Sequence, residues 1–318
     1  MDLEMLKTRA SVIQKIRSFF IDRGYLELDT PLLSDNLIPE SCLEVFQTEK
    51  LYPKGSRKQK ETLWLIPSPE IWMKKIIARH RVNVFQICKC FRNGEQSGRL
   101  HNSEFTMLEY YTMNADYTDS LVLTEELFKA VNNGCSLTPF DRITVARAFM
   151  EYAGFDLFKT SDKGAMAMAD KARELGLDPE PSMTVSMLYD LIFIHCVERN
   201  LKKEKPVALI DYPAFVPCLA KNKGQTVERW ELYHNGVELA NCFSEETDPQ
   251  KVKEFFINEE KEKEKAAIVK HKVNRDYWKI FEKEKNFPRC SGVAMGLDRF
   301  IMTLTGKSSV DSVLMTAD

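Results

Sequence analysis

Residues 91–109 read FRNGEQSGRLHNSEFTMLE, and this stretch decides the fold of the chain. It connects two segments of strand character, Val84 to Cys90 and Phe105 to Tyr111, which are rich in apolar and aromatic residues. The residues between them, Arg92 to Arg99, are rich in glycine, asparagine and serine, which favour turns. The stretch therefore predicts a β-hairpin with a long loop.

The sequence on either side of this hairpin predicts strands and helices that come in groups. Apolar residues recur at helical spacing over residues 3–23, Gly24 ends that helix, and an alternating strand follows at 25–31. Residues 117–204 have a mostly helical pattern. The other predicted elements are a loop at 50–61, strands at 62–67, 207–210, 227–233 and 290–295, and helices at 70–80, 250–285 and 297–305. Grouped rather than alternating elements favour an α+β fold with an antiparallel β-sheet flanked by helices.

Composition limits the classes of protein to consider. The length of 318 residues suits one large domain or two small ones. A net charge of −2 gives no basic excess of the kind that nucleic-acid binders show. We find no secretory signal and no apolar stretch long enough for a bilayer, so we expect a cytoplasmic chain without membrane contact.

Common cofactor patterns are missing from the sequence. Of the eight cysteines, Cys88 and Cys90 lie close in a C-x-C pair, but no C-x-x-C zinc pattern occurs, so we expect thiols in a reducing compartment. Neither G-x-G-x-x-G after a strand nor G-x-x-x-x-G-K-[ST] is present. Bound ATP would therefore not lie in a Rossmann or P-loop site.

Three segments together resemble the three motifs of class II aminoacyl-tRNA synthetases, in the same order. They are the helix and strand that end at Pro31, residues 91–109, and GVAMGLDRF at 292–300. The first alone also fits an ordinary amphipathic helix before a strand. The second and third are more specific, because each places an arginine in a fixed frame. The resemblance implies a single class II synthetase-like catalytic domain over 1–318, with a helical insertion at roughly 117–204.

The resemblance implies how ATP would be bound. Arg92 would meet the α-phosphate and Arg299 the γ-phosphate of a bent ATP, because a guanidinium binds phosphate through two parallel charged hydrogen bonds. These two are the expected catalytic residues; the alternative is that each forms a surface ion pair. Phe105 would stack on adenine, and Gly296 would leave room for the nucleotide. The ATP-binding residues implied are Arg92, Glu95, Asn102, Phe105, Glu238, Gly296 and Arg299.

Within class II, the details resemble the lysine-specific branch. The segments SPE at 68–70, ERWE at 228–231 and GVELANCFSE at 236–245 resemble stretches of lysyl enzymes. A substrate with two ammonium groups needs several carboxylates. Glu70 and Glu109 would lie near the backbone-type amine, and Glu245 with Tyr111 near the far ammonium. The substrate-binding residues implied are Ser68, Glu70, Glu109, Tyr111, Asn241, Phe243, Glu245 and Ala294.

The same resemblance implies that Glu231 and Glu238 hold Mg²⁺ against the phosphates, since hard cations prefer oxygen ligands. The alternative is that these glutamates alternate on the solvated face of a strand. They lie seven residues apart across a turn predicted at Asn235-Gly236, so their spacing alone does not decide between the two.

The short stretch before the first motif distinguishes between subfamilies of lysyl-type enzymes. Lysyl-tRNA synthetases carry an N-terminal OB-fold that binds the anticodon, and this chain has no room for one. A short lysyl-type core resembles the elongation factor P–(R)-β-lysine ligase family, as do KEKP at 203–206, Pro213-Ala214 and PRCSGVA at 288–294. The resemblance implies ATP-dependent activation of (R)-β-lysine or lysine, transfer to a lysine of elongation factor P, Mg²⁺, a homodimer and no use of tRNA.

The chain departs from the family pattern in its second motif. The loop from Arg92 to His101 is one residue longer than usual, Gly94 stands where many members have glutamate, and Ser103 replaces a proline. The adenine contact then falls to Glu95. The alternatives are a compact lysyl-tRNA synthetase, an enzyme that passes lysine to another acceptor, and an inactive regulator that binds an amino acid. The sequence does not choose between α-lysine and (R)-β-lysine.

Overall fold

The structure is a computed structural model that describes residues 2–94, 98–132, 137–274, 276–282 and 287–314. The chain divides into two units: unit 1 is Met1–Ala115 with Glu246–Asp318, and unit 2 is Asp116–Glu245. The expected single domain over 1–318, with its helical insertion, stays a prediction. No helix in these described ranges is long and apolar enough to cross a membrane.

The secondary-structure elements follow one another in groups, as expected from the sequence. The strands are β1 (Leu26–Glu27), β2 (Leu33–Ser34), β3 (Gln47–Leu51), β4 (Lys60–Leu65), β5 (Val84–Phe91), β6 (Glu104–Met113), β7 (Asp141–Thr144), β8 (Val207–Pro213), β9 (Thr226–His234), β10 (Val237–Ser244) and β11 (Cys290–Gly296). The α-helices are α1 (Leu3–Ile21), α2 (Glu70–His80), α3 (Tyr117–Val131), α4 (Val145–Ala148), α5 (Leu157–Ser161), α6 (Ala165–Glu174), α7 (Val185–Ile192), α8 (Pro249–Ala266) and α9 (Leu297–Leu304).

The main sheet of unit 1 is built around β6. This strand pairs antiparallel with β5 and with β11, while β1 pairs parallel with β5. Helix α1 covers one face, because the ring of Phe20 lies 5.0 Å from that of Phe85 and 4.8 Å from that of Tyr110. Since side chains alternate along a strand, Glu109 and Tyr111 lie on the opposite face. A smaller antiparallel sheet has the order β2-β4-β3.

A buried ion pair connects three segments of unit 1. Nη2 of Arg9, on α1, lies 2.7 Å from Oδ1 of Asp298, at the start of α9. Asp298 also accepts the backbone N–H of Thr106 at 2.7 Å, and Arg9 donates to the hydroxyl of Thr106 at 2.9 Å. Both charged side chains are buried. The pair therefore fixes α1 and the start of α9 against β6, beside the third motif.

In unit 2, β9 lies between β10 and β8, antiparallel to both, and β7 pairs parallel with β8. One face of this sheet carries the buried Trp230, whose Nε1 donates to the carbonyl oxygen of Tyr117 at 2.6 Å. The other face packs Tyr212 and Tyr233 against Phe193 of the helical layer. The expected α+β architecture with a sheet and flanking helices is confirmed.

Several predicted boundaries are wrong, and hydrogen bonds to distant residues explain two of them. The strand expected at 25–31 is only β1, because its pairing with β5 covers Leu26 and Glu27 and is followed by a bond from the N–H of Leu28 to the carbonyl oxygen of Phe85. The helix expected at 250–285 ends at Ala266, because the amides of Ile268 and Val269, just beyond the C-cap Ala267, donate to the Glu44 carboxylate. The ends of the expected loop at 50–61 belong to β3 and β4, and β10 was not predicted.

Candidate active site

The arginine of the second motif lies beside the aromatic ring expected to hold adenine. Arg92 follows β5, and its backbone N–H donates to the carbonyl oxygen of Ser103 at 2.9 Å, which closes the base of the hairpin loop. Its guanidinium carbon lies 5.2 Å from the centroid of the Phe105 ring, within the range of a cation–π contact. The structure thus brings these two predicted ATP-binding residues together. Glu95 lies outside the described residues.

The arginine of the third motif reaches the loop of the second. Arg299, in the first turn of α9, donates through Nε to the carbonyl oxygen of Leu100 at 3.0 Å. Asn102 Nδ2 donates to Asp311 Oδ1 at 3.0 Å. A Cβ on Gly296 would lie 3.7 Å from Cδ of Arg299, which is an ordinary contact, so the chain itself does not require glycine there. Its expected role in leaving room for nucleotide stays a prediction.

Two acidic side chains of unit 1, Glu70 and Glu109, form what is here called the acidic patch. Oε1 of Glu70, the first residue of α2, lies 2.7 Å from Nζ of the buried Lys74. Oε1 of Glu109 accepts the hydroxyl of Tyr111 at 2.8 Å. Burial raises the pKa of Glu109 well above its usual value, the charge of Glu70 raises it further, and the Tyr111 hydrogen bond opposes the shift. An ammonium group brought to this patch would stabilise the ionised form of Glu109.

Ala294 lies on the same sheet face as this patch. It is the cross-strand partner of Glu109, between β11 and β6, and directly opposed residues of antiparallel strands share a face. The alanine is half-buried. Ser68 is half-buried two residues before α2, and its expected contact with substrate stays a prediction.

The predicted metal ligands of unit 2 lie on one face of its sheet. Glu231 pairs with Asn241 across β9 and β10, and Glu238 pairs with Tyr233. Because Tyr233 is two residues from Glu231 along β9, all four side chains project to the same side. The structure therefore brings Glu231, Glu238 and Asn241 to one surface.

Glu231 is held by three donors. The hydroxyls of Tyr212 and Tyr233 donate to its Oε2 at 2.6 Å and 2.7 Å, and Nη2 of Arg229 forms an ion pair with its Oε1. The guanidinium carbon of Arg229 lies 4.4 Å from the Tyr212 ring centroid and 5.5 Å from that of Phe243. Outer hydrogen bonds of this kind fix the direction of a metal-binding carboxylate.

Glu245, a predicted substrate-binding residue, is buried just after β10 and forms an isolated antiparallel β-bridge with Ala220.

Comparison with known proteins decides the family. Residues 2–316 match the family of tRNA synthetases class II (D, K and N). The chain belongs to this family.

Relatives define a narrower group. Proteins named elongation factor P–(R)-β-lysine ligase from Avibacterium paragallinarum, Histophilus somni (strain 2336) and Pasteurella multocida (strain Pm70) are 34%, 33% and 32% identical to this chain. Each alignment covers 98% of this chain and 94% of the relative. This class II synthetase therefore belongs to the elongation factor P–(R)-β-lysine ligase family, as its motifs indicated, and is a ligase-type enzyme.

Some residues that build the site of this class II synthetase were not found from the sequence. Lys74 pairs with Glu70, and the spacing of four residues on a helix was the available signal. Tyr212 and Arg229 support Glu231; Arg229 lies two residues away on the same strand, a spacing that was an available signal, whereas Tyr212 lies on β8. Arg9 supports Asp298, which was not among the predicted site residues.

Proposed function

We propose that this chain uses ATP to activate (R)-β-lysine or lysine as an acyl-adenylate and transfers the acyl group to a lysine side chain of elongation factor P. The carboxyls of Glu70 and Glu109 carry the proposal, because one pairs with Lys74 and the other accepts from Tyr111, and both offer oxygen acceptors for an ammonium group. The names of the relatives support elongation factor P as the acceptor.

In the first step, the substrate carboxylate attacks the α-phosphorus of ATP, and pyrophosphate leaves as the bond to the β-phosphate oxygen breaks. This nucleophile is already ionised, so no general base is needed. Arg92 and Arg299 orient the phosphates and stabilise the charge that develops on their oxygens, which supplies most of the rate. Glu70 and Glu109 hold the amine, so that the carboxylate is directed to the phosphorus.

We propose that Glu231 and Glu238 hold Mg²⁺. Within the part of the chain that the structure describes, no group of three or more His, Cys, Asp or Glu could hold a metal. Two carboxylates fit Mg²⁺, which is usually bound by one or two carboxylates together with waters and substrate phosphates. When bound, the ion neutralises phosphate charge. Tyr212, Tyr233 and Arg229 fix the direction of the Glu231 carboxylate.

In the second step, the neutral ε-amine of the acceptor lysine attacks the carbonyl carbon of the adenylate. An amide bond forms, AMP leaves with the bonding electrons of the mixed anhydride, and the proton lost by the amine nitrogen is released to water. The test of the first step is ATP–pyrophosphate exchange that depends on (R)-β-lysine or lysine. Exchange that needs neither amino acid, or that depends on an unrelated one, would contradict the proposed substrate class.

The alternative functions transfer the acyl group to another acceptor or do not transfer it at all. A compact lysyl-tRNA synthetase would charge tRNA, and a regulator would bind an amino acid without chemistry. The proximity of Arg92 to Phe105 and the contact of Arg299 with the second-motif loop favour an ATP-using enzyme over a regulator. That tRNA is not used, and that the chain works in the cytoplasm, stay predictions.

Position 294 is expected to select between lysine isomers. The Ala294 methyl lies on the face of Glu109, where it would crowd the α-carbon substituent of α-lysine, whereas (R)-β-lysine carries its amine one carbon further along. A misplaced methyl in a close-packed site costs about 10–200-fold in discrimination. Ala294→Gly should therefore raise kcat/KM for α-lysine relative to (R)-β-lysine in pyrophosphate exchange. An unchanged ratio would show that selectivity arises elsewhere.

We also expect a homodimer in solution. In unit 1, Leu3, Ile21 and Leu26 are 62%, 54% and 53% exposed, so α1 and β1 present apolar surface to solvent. Covering such a surface by a second copy through two-fold symmetry would remove it from water. Multi-angle light scattering at micromolar concentration should give twice the chain mass. A stable monomer would count against this expectation.

A further inference from the structure

A buried lysine of α8 binds backbone carbonyls far away in sequence. Lys263 is 5% exposed, and its Nζ donates to the carbonyl oxygen of Glu40 at 2.9 Å and to that of Leu43. Burying an ammonium is costly unless its hydrogen bonds are made. These two bonds therefore hold the chain at residues 40–43 in one place.

The segment formed by residues 40–45, here called the strap, is held at further points. The backbone N–H of Ser41 donates to Oε2 of Glu259, one turn before Lys263 on α8, at 2.8 Å. The Glu44 carboxylate accepts the backbone N–H groups of Ile268 and Val269 at 2.8 Å and 3.1 Å. Helix α8 and the residues after it thus fix both ends of the strap.

The strap in turn holds the residue next to the phosphate-binding arginine. The backbone N–H of Asn93 donates to the carbonyl oxygen of Glu44 at 2.9 Å, and its Nδ2 donates to that of Val45 at 3.4 Å. Gly94 has a φ of +71°, and a Cβ there would lie 3.3 Å from Cγ of Glu44. Glycine at this position therefore has a physical reason, because the turn is left-handed and the strap passes close to it.

The strap also carries a carboxyl that is within electrostatic range of two predicted site residues. Burial raises the pKa of Glu40 to about 7, the charge of Glu70 raises it further, and Arg92 opposes the shift. Movement of the strap would displace Asn93 and with it the adjoining Arg92.

We propose that Lys263 is a positioning residue for adenylation, which through the strap fixes the turn that carries Arg92. The inference rests on the proposed role of Arg92 in binding ATP. Lys263 touches no reacting atom in this scheme. Its contribution is geometric, because a misplacement of about 1 Å at a reacting group can reduce a rate by about 100-fold.

The test uses Lys263→Met, which keeps the apolar stem and removes the donors. Exchange kcat/KM for ATP should fall about 10–100-fold, and the Asn93 amide should exchange with deuterium faster. Lys265→Met is the matched control, since Lys265 lies on the same helix, is 69% exposed and pairs with Glu262, three residues earlier, at 2.6 Å. That control should leave both readouts unchanged.

A second pair of variants keeps the test decisive if Lys263→Met does not fold. Glu259→Ala removes the acceptor for the Ser41 N–H and should repeat the Lys263→Met pattern, whereas Glu259→Gln keeps an acceptor oxygen and should retain most of the activity. A lower melting temperature with unchanged kcat/KM and unchanged Asn93 exchange would overturn the proposal. Amide exchange needs no substrate, so it tests the strap even if the wild-type chain activates neither lysine isomer.

Discussion

Arg92→Ala and Arg299→Ala are each expected to reduce lysine-dependent ATP–pyrophosphate exchange by about 10²–10³-fold. Each guanidinium is proposed to bind a phosphate whose charge grows in the transition state, and alanine offers no donor. Arg92 lies beside Phe105, and Arg299 contacts the carbonyl of Leu100, so both are in place at the predicted nucleotide site. Steady-state exchange with saturating lysine isomer measures the effect.

The control for this pair is Arg57→Ala, because Arg57 is exposed and belongs to the segment between β3 and β4, outside the sequence of both motifs. Circular dichroism should show that all three variants keep the wild-type fold. Near-normal exchange in Arg92→Ala or Arg299→Ala would contradict the assignment of the second or the third motif, respectively.

Arg9→Met should lower the free energy of unfolding by about 3–5 kcal/mol. Arg9 and Asp298 form a buried pair, and removing the cation leaves an uncompensated carboxylate within the third motif. Urea denaturation followed by far-ultraviolet circular dichroism measures the change. The expected loss exceeds that of surface pairs because water does not screen the remaining charge.

Two further variants test whether the unpaired buried charge causes the loss of stability in Arg9→Met. Lys7→Met breaks an exposed pair with Glu4 on the same helix, and should change stability by less than about 1 kcal/mol. Adding Asp298→Asn to Arg9→Met removes the buried charge and keeps an acceptor for the Thr106 N–H, so stability should partly recover. A loss of less than 1 kcal/mol in Arg9→Met would show that the pair is not needed for stability.

Locally encoded features were predictable from the sequence. Helix α2 begins and ends at the predicted residues, because its apolar spacing and its flanking Pro69 are local signals. The β5–β6 hairpin was predicted for the same reason. The buried environment of Lys263 was not predictable, because the run 259–265 has the pattern of a solvated helix face. Its partner Glu40 lies 223 residues away, and no periodicity carries that information.

The positions of Glu231 and Glu238 show a second limit of sequence patterns. Whether Glu231 and Glu238 share a face depends on the register of β9 and β10. That register shifts between Glu238 and Ala240, which places Glu238 opposite Tyr233. A bulge of this kind reverses the alternation of side chains on one strand. Spacing alone therefore could not decide between a shared site and a solvated strand.

The proposed transfer to elongation factor P is tested most directly by mass spectrometry of the intact acceptor. Purified elongation factor P is incubated with this chain, ATP, Mg²⁺ and either (R)-β-lysine or α-lysine, with tRNA as a parallel acceptor. We predict a mass increase of one lysyl group on a single lysine of elongation factor P, greater with (R)-β-lysine, and no aminoacylated tRNA. An unmodified elongation factor P together with charged tRNA would contradict the proposal and favour a lysyl-tRNA synthetase.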